Sequence, residues 1–205
     1  MSAIVLGQGD ALLIVDLQVD FLPGGSLGVP HGDAVIAPIN RLIALYGAHR
    51  LPVIASRDWH PALHCSFAAQ GGPWPPHCVA GTIGASFSAQ LDLPDDAIVV
   101  SKADTVDVDA YSAFNGTGLA DDLRARGVRR LAVCGLATDY CVLNTVLDAL
   151  KAEFEVLIVA EAARAVDVAA GDGERAMTRM LLAGAAPVRL SSSGLVADLE
   201  LGALA

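Results

Sequence analysis

Residues 129–151 read RRLAVCGLATDYCVLNTVLDALK, and this stretch decides the fold. Leu131, Ala132, Val133 and Cys134 form a short apolar run typical of a buried strand, and Gly135 ends it. From Thr138 the apolar period becomes helical. Val142, Val146 and Leu150 share a face, Leu143 and Leu147 lie beside it, and Thr138 or Asp139 is placed to cap the start. Cys141 thus falls in the first turn of a helix that follows a strand directly. There the positive end of the helix favours thiolate, and free backbone N–H groups point at whatever binds. Two readings stand side by side. Cys141 is a nucleophile mounted on a strand-to-helix turn, or a buried cysteine serving as a small hydrophobe.

Working outward, similar apolar runs recur. Ala11–Val15 is a first strand with Asp16 at its carboxyl end, and Pro52–Ser56 a second, which delivers RDWHPALH (57–64). Ala97–Val100 leads to Lys102, while Glu155–Val159 and Pro187–Leu190 complete the strands. Helical periodicity separates them over 32–49, 118–126 and 173–182, with a short helix expected near Ser86–Leu91. Strands alternating with helices predict an α/β fold: one doubly wound domain, residues 1–205, with a central parallel sheet of about six strands flanked by helices. Gly7 and Gly9 do not make a dinucleotide loop, because they precede the first strand and lack the third glycine.

Composition agrees. A hydrophobic content of 54% against 18% charged residues suits a sheet buried on both faces. The net charge of −10 argues against nucleic acid or an anionic membrane as partner. No apolar run approaches the ~18 residues that span a bilayer. The N-terminus lacks a basic region before its apolar residues, so no signal peptide is read and a cytoplasmic location is expected. Cys65, Cys78, Cys134 and Cys141 contain no CxxC pair, which fits neither a disulfide framework nor a zinc finger.

In open α/β sheets, sites are built at the carboxyl ends of the strands. Asp58 and His60, two apart in an extended segment, point the same way, and His77 follows a Gly/Pro-rich loop. An Asp/His/His set of this kind suits a divalent metal with an open position, zinc or iron; the alternative is a set of surface histidines on a loop. Asp16, Lys102 and Cys141 leave three different strands at one edge. An acid, a base and a thiol meeting there suggest amide hydrolysis through a thioester.

Five segments together resemble the nicotinamidase/pyrazinamidase branch of the isochorismatase-like cysteine hydrolases. They are IVDLQVDF (14–21), SRDWHPALH (56–64), GGPWPPHCVAGT (71–82), VSKADTVDVDAYSAF (100–114) and GLATDYCV (135–142). They follow one another in family order over most of the chain between residues 11 and 142. The resemblance implies that Cys141 is the nucleophile, Asp16 its general base and later acid, and Lys102 the charge that favours the ionised forms. It places a cis peptide at Leu136–Ala137, turning the Ala137 N–H, with that of Cys141, toward an oxyanion. Asp58, His60 and His77 match the family's metal ligands, and His64 a fourth histidine that ligates in some members only. The metal expected is one divalent ion, zinc first, with iron or manganese as alternatives. It would hold the pyridine nitrogen of nicotinamide, with Phe21, Trp74 and Tyr111 around the ring.

The implied activity is hydrolysis of nicotinamide, and of pyrazinamide, in pyridine nucleotide metabolism. A homo-oligomer is left open. The alternative is a related amidase acting on a carbamoyl or ureido substrate; isochorismatases proper lack the nucleophilic cysteine. Ala103 departs from the glycine that many relatives carry after the lysine, and since alanine reaches positive φ only at a cost, that loop is expected to differ slightly.

Overall fold

The apolar runs are strands of one seven-stranded sheet. The computed structural model describes residues 3–202; Met1, Ser2 and residues 203–205, which the expected domain span includes, lie outside the described residues. Its elements are β1 (Asp10–Val15), α1 (Ile36–Ala48), β2 (Val53–Asp58), β3 (Ile98–Lys102), α2 (Leu119–Ala125) and β4 (Arg130–Leu136), followed by α3 (Leu143–Lys151), β5 (Glu155–Arg164), α4 (Asp172–Leu182), β6 (Ala186–Ser191), β7 (Gly194–Ala197) and α5 (Leu199–Gly202). The strand order is β3-β2-β1-β4-β5-β6-β7. All neighbours are parallel except β6 and β7. No helix among the described residues is long and apolar enough to cross a membrane.

Alternation along β1 explains the layers. Leu12 and Ile14 face α1, joining Ile39, Leu42 and Tyr46. Ala11, Leu13 and Val15 face the other way, with Leu119 and Leu123 of α2, Val146 of α3 and Met180 of α4. These strand residues are fully buried, and each large apolar side chain contributes about 1.5–3 kcal/mol. That investment fixes the carboxyl ends of the strands. The chain runs outward from β1 through β2 to β3, then returns to build β4 on the other side of β1. The switch point therefore lies between β1 and β4, where a crevice opens in folds of this type.

Four expectations are corrected. A seventh strand, β7, pairs antiparallel with β6 through a turn whose Gly194 has φ 127°; four residues of weak alternation were too little to announce it. The segment Ser86–Leu91 is a series of turns, not a helix. Ser88 N–H donates to Leu17 O and Ser88 Oγ accepts from Gln90 N–H, so local serine bonds replace the helical ladder. The 32–49 helix begins as a 3₁₀ turn, Gly32–Val35. Between β4 and α3 the residues Thr138–Val142 form a turn of π-helix, not the first turn of an α-helix.

Candidate active site and metal centre

Asp16 follows β1 and is fully buried, with φ 50°. Ala103 and Cys78, at φ 51° and 45°, complete a set of three non-glycine residues in the left-handed region around one crevice. Such conformations cost about 1–3 kcal/mol each and persist where the surroundings over-determine them. Ala103 therefore keeps the positive φ that glycine would take freely, and the loop bears the strain instead of avoiding it.

Lys102 closes β3 directly opposite Asp58, which closes β2. Its ammonium is buried and reaches four partners. Asp16 Oδ2 lies at 2.9 Å, Ala110 O at 3.1 Å and Cys141 Sγ at 3.6 Å, and Asp58 Oδ1 is in contact. Burial alone would lower the pKa of Lys102, but the Asp16 and Asp58 carboxylates outweigh it and raise it well above the ordinary value. Burial also works to raise Asp58, yet the Lys102 ammonium beside it holds it well below the usual carboxylate range. Asp16 goes the other way: burial raises it, with Lys102 opposing.

At Cys141 the pull of a helix end toward thiolate is outweighed. Burial pushes the Cys141 thiol well above its ordinary pKa despite Lys102, so the proton stays on sulfur until a base removes it. Asp16 is the base within reach: one oxygen each of Asp16 and Asp58 and the Cys141 sulfur all lie within 4.8 Å of one another. The expected cap is also elsewhere engaged. Asp139 accepts from the Val166 and Asp167 N–H groups, both at 2.9 Å, and so ties the π turn to the loop after β5. The Leu136–Ala137 peptide is cis, and Ala137 lines the same cleft as Cys141.

Beside the thiol stands a second cluster. Asp58 Oδ2 is 3.5 Å from His60 Nε2 and 4.0 Å from His77 Nε2, and the two Nε2 atoms are 3.3 Å apart. Each ring is fixed at its other nitrogen, His60 Nδ1 on Ala103 O at 3.1 Å and His77 Nδ1 on Pro75 O at 2.8 Å. Carbonyls only accept, so both Nδ1 atoms carry the proton, and both Nε2 atoms present lone pairs to each other and to a carboxylate oxygen. Burial keeps His77 neutral by lowering its pKa. Lone pairs facing at this distance are repulsive unless a cation sits among them, so the donor set fits a divalent metal. His64 does not join this set. Its Nδ1 meets Ser66 Oγ at 2.8 Å and its Nε2 meets Val108 O at 3.1 Å, while its ring stacks on His60 at 4.2 Å.

Aromatic side chains wall the cleft of about 500 Å³, its mouth included, onto which both clusters open. Phe21 lies 5.6 Å from the His77 ring, and Trp74 Nε1 donates to the Tyr111 hydroxyl at 3.0 Å. Tyr140 packs on both Trp74 and Tyr111, a wall residue that sequence reasoning did not single out. It also passed over Gln18 and Asp20. Gln18 accepts from Asp58 N–H at 2.8 Å and donates to Asp58 O and Ala85 O, while Asp20 holds Cys78 N–H at 2.7 Å next to His77. Both stood in IVDLQVDF at even spacing from Asp16, but their partners lie 40 and 58 residues away and only the topology names them.

A match to the isochorismatase domain covers residues 10–192. The Escherichia coli (strain K12) nicotinamidase is 43% identical over 196 residues, 85% of this chain and 92% of the relative. The crystal structure of the Pyrococcus horikoshii pyrazinamidase in complex with zinc shares 47% identity, with a TM-score of 0.86 over 89% of this chain and 99% of that one. The structure of PnC1 from L. infantum in complex with nicotinate shares 42% identity, with a TM-score of 0.84 over 97% of this chain and all of that one. With the family match spanning residues 10–192 and relatives aligned along most of both chains, this chain belongs to the isochorismatase domain family.

Proposed function

We propose that this protein is a metal-dependent cysteine amidase that hydrolyses nicotinamide to nicotinate and ammonia, with pyrazinamide as a further substrate. One observation carries the proposal: a buried thiol–carboxylate–ammonium group and a two-imidazole, one-carboxylate cluster open onto the same aromatic cleft. A flat heteroaromatic amide offers a carbonyl to the first and a ring nitrogen to the second. The names of relatives that cover most of this chain support the same substrate. A carbamoyl or ureido substrate would have no use for the paired imidazoles.

Asp16 takes the Cys141 proton, and the sulfur attacks the carboxamide carbon. Lys102 steadies the ionised pair, and the Ala137 and Cys141 N–H groups receive the developing oxyanion. Asp16 then gives its proton to the departing ammonia, leaving a thioester on Cys141. Water, deprotonated by Asp16, cleaves the thioester and releases nicotinate. Asp58, His60 and His77 would hold the metal, zinc first by its donor set. When bound, the ion supplies a Lewis-acid contact to the ring nitrogen that orients the substrate. Phe21, Trp74 and Tyr111 sandwich the ring, and His64 braces His60 from behind.

Ammonia release from nicotinamide and from benzamide, measured on zinc-loaded and chelated protein, tests this. Nicotinamide is expected to turn over fast with metal and benzamide, which lacks the ring nitrogen, to be a poor substrate in either state. Equal turnover of both amides, slowed alike by chelation, would remove the ring-nitrogen role and leave a broader amidase.

A further inference from the structure

Ser56 is a hydroxyl in the middle of a buried strand, between Ala55 and Arg57, with no exposed surface. Burying a hydroxyl without a bond costs about 1–3 kcal/mol, so its partner explains its presence. That partner is Asp16, held twice: Asp16 N–H donates to Ser56 O at 3.2 Å, and Ser56 Oγ–H donates to Asp16 Oδ1 at 2.6 Å. The other carboxylate oxygen, Oδ2, faces the Lys102 ammonium at 2.9 Å.

Resting on the amidase reading above, we propose that Ser56 is a positioning residue that occupies Asp16 Oδ1 and so directs proton exchange with Cys141 and the departing ammonia through Oδ2. A serine hydroxyl has one proton to give, and here it gives it to Oδ1. Oδ1 is then engaged, and the Asp16 backbone is tied to the same residue. Oδ2 keeps its lone pairs, because the ammonium faces it as an ion pair and directs its hydrogen bonds to Asp58, Ala110 and Cys141. The thiol proton passes from Cys141 Sγ to Oδ2, and from Oδ2 to the amide nitrogen as the C–N bond breaks. Without Ser56 the carboxylate is free to rotate about its Cβ–Cγ bond, and two oxygens compete for the ammonium. Substrate contacts are untouched, because Ser56 does not line the cleft. The hydroxyl therefore acts on the rate of proton transfer and not on binding.

Steady-state ammonia release from nicotinamide by the metal-loaded wild type, Ser56→Ala, Ser56→Thr and Ser56→Cys is the test. Ser56→Ala is expected to lower kcat about tenfold or more, with KM within about twofold. Ser56→Thr keeps the donor and should stay within about threefold of wild type, while Ser56→Cys, a weak donor of similar size, should resemble Ser56→Ala. If Ser56→Ala does not fold, Ser56→Cys is read in its place. A wild-type kcat in Ser56→Ala, a Thr variant as impaired as the Ala variant, or a loss confined to KM would each overturn the proposal.

A second measurement needs no turnover: the rate of Cys141 alkylation by iodoacetamide, read by peptide mass. It should fall about fivefold or more in Ser56→Ala and recover in Ser56→Thr; equal rates in all variants would overturn the proposal as well. Should the wild type release no ammonia while the alkylation series behaves as expected, the substrate assignment fails and the positioning role of Ser56 stands.

Discussion

Lys102→Met removes the ammonium that separates two buried carboxylates. Asp16 and Asp58 are then left near each other with no counter-ion, and breaking a buried ion pair from one side costs about 3–5 kcal/mol. For a chain of this size, each kcal/mol shifts the melting temperature by about 2–4 °C. Lys102→Met should therefore melt about 10 °C below wild type at pH 8. The gap should also depend on pH. In the wild type, Asp58 has a folded pKa held below its unfolded value, so its contribution to stability is present above about pH 4 and lost as pH falls further. In the variant the charge that opposed burial most strongly is gone, so the folded pKa of Asp16, already raised by burial, rises further against the Ser56 hydroxyl alone. A carboxyl raised in this way binds its proton more tightly folded than unfolded, so the variant gains stability as pH falls, about 1.4 kcal/mol per pH unit for one proton. Thermal unfolding followed by circular dichroism at pH 8 and pH 5 checks both parts. Chelated protein should be used, so that a bound cation does not stand in for the ammonium. Equal melting temperatures at pH 8, or a gap that widens on acidification, would refute the account of Lys102 as the charge that holds these carboxylates together.

Cys141→Ala should lose several powers of ten in kcat while keeping the fold and the bound metal, since its own thiol is buried and alanine fills the site without a clash; more than a few per cent of residual ammonia release would remove it from the chemistry. Asp16→Asn should be nearly as damaging, and a comparable rate of Cys141 alkylation in that variant and the wild type would show that some other group takes the thiol proton. His60→Ala should abolish zinc retention, read by metal analysis after dialysis. His64→Ala should weaken it only about 10–100-fold, because His64 touches the His60 ring but offers no nitrogen to the cluster.

Local pattern made much of this molecule legible. The strands that carry the site are short apolar runs, and each is followed at once by a polar residue. Asp16, Asp58 and Lys102 could thus be placed at one sheet edge before any pairing was known. What stayed hidden depends on partners distant in sequence. Nothing in residues 135–142 distinguishes a π turn from an α turn, and the contacts around that turn, Asp139 to Val166 and Asp167 and Gly135 against the backbone of Val15, are with residues distant in sequence. The pull of a helix end toward thiolate could be read locally, but at Cys141 burial, a property of the assembled core, outweighs the field of one turn and of one ammonium. His64 illustrates the same limit: the resemblance offers it as a fourth ligand, while in the fold Ser66 Oγ and Val108 O engage its two nitrogens.

Asp58 shows why the two halves of the site should not be treated as separate devices. From sequence it belongs with the histidines, and the amidase group contains no metal ligand at all. In the fold its two oxygens divide the work, Oδ1 on the Lys102 ammonium and Oδ2 toward the paired imidazoles. A cation drawn among those imidazoles withdraws charge from the same carboxylate that anchors Lys102. Lys102 is in turn shared between Asp16 and Cys141. Changes at the metal cluster therefore reach the thiol through a carboxylate and an ammonium in direct contact. Removing the metal should raise KM by removing an orienting contact, and it should also alter kcat, because the balance of charge around Lys102 changes with it. Asp58→Asn would disturb both at once, whereas His77→Ala would disturb the metal while leaving the Lys102 contact in place. The difference in kcat between those two variants, measured without metal, isolates what the Asp58–Lys102 contact contributes to the chemistry.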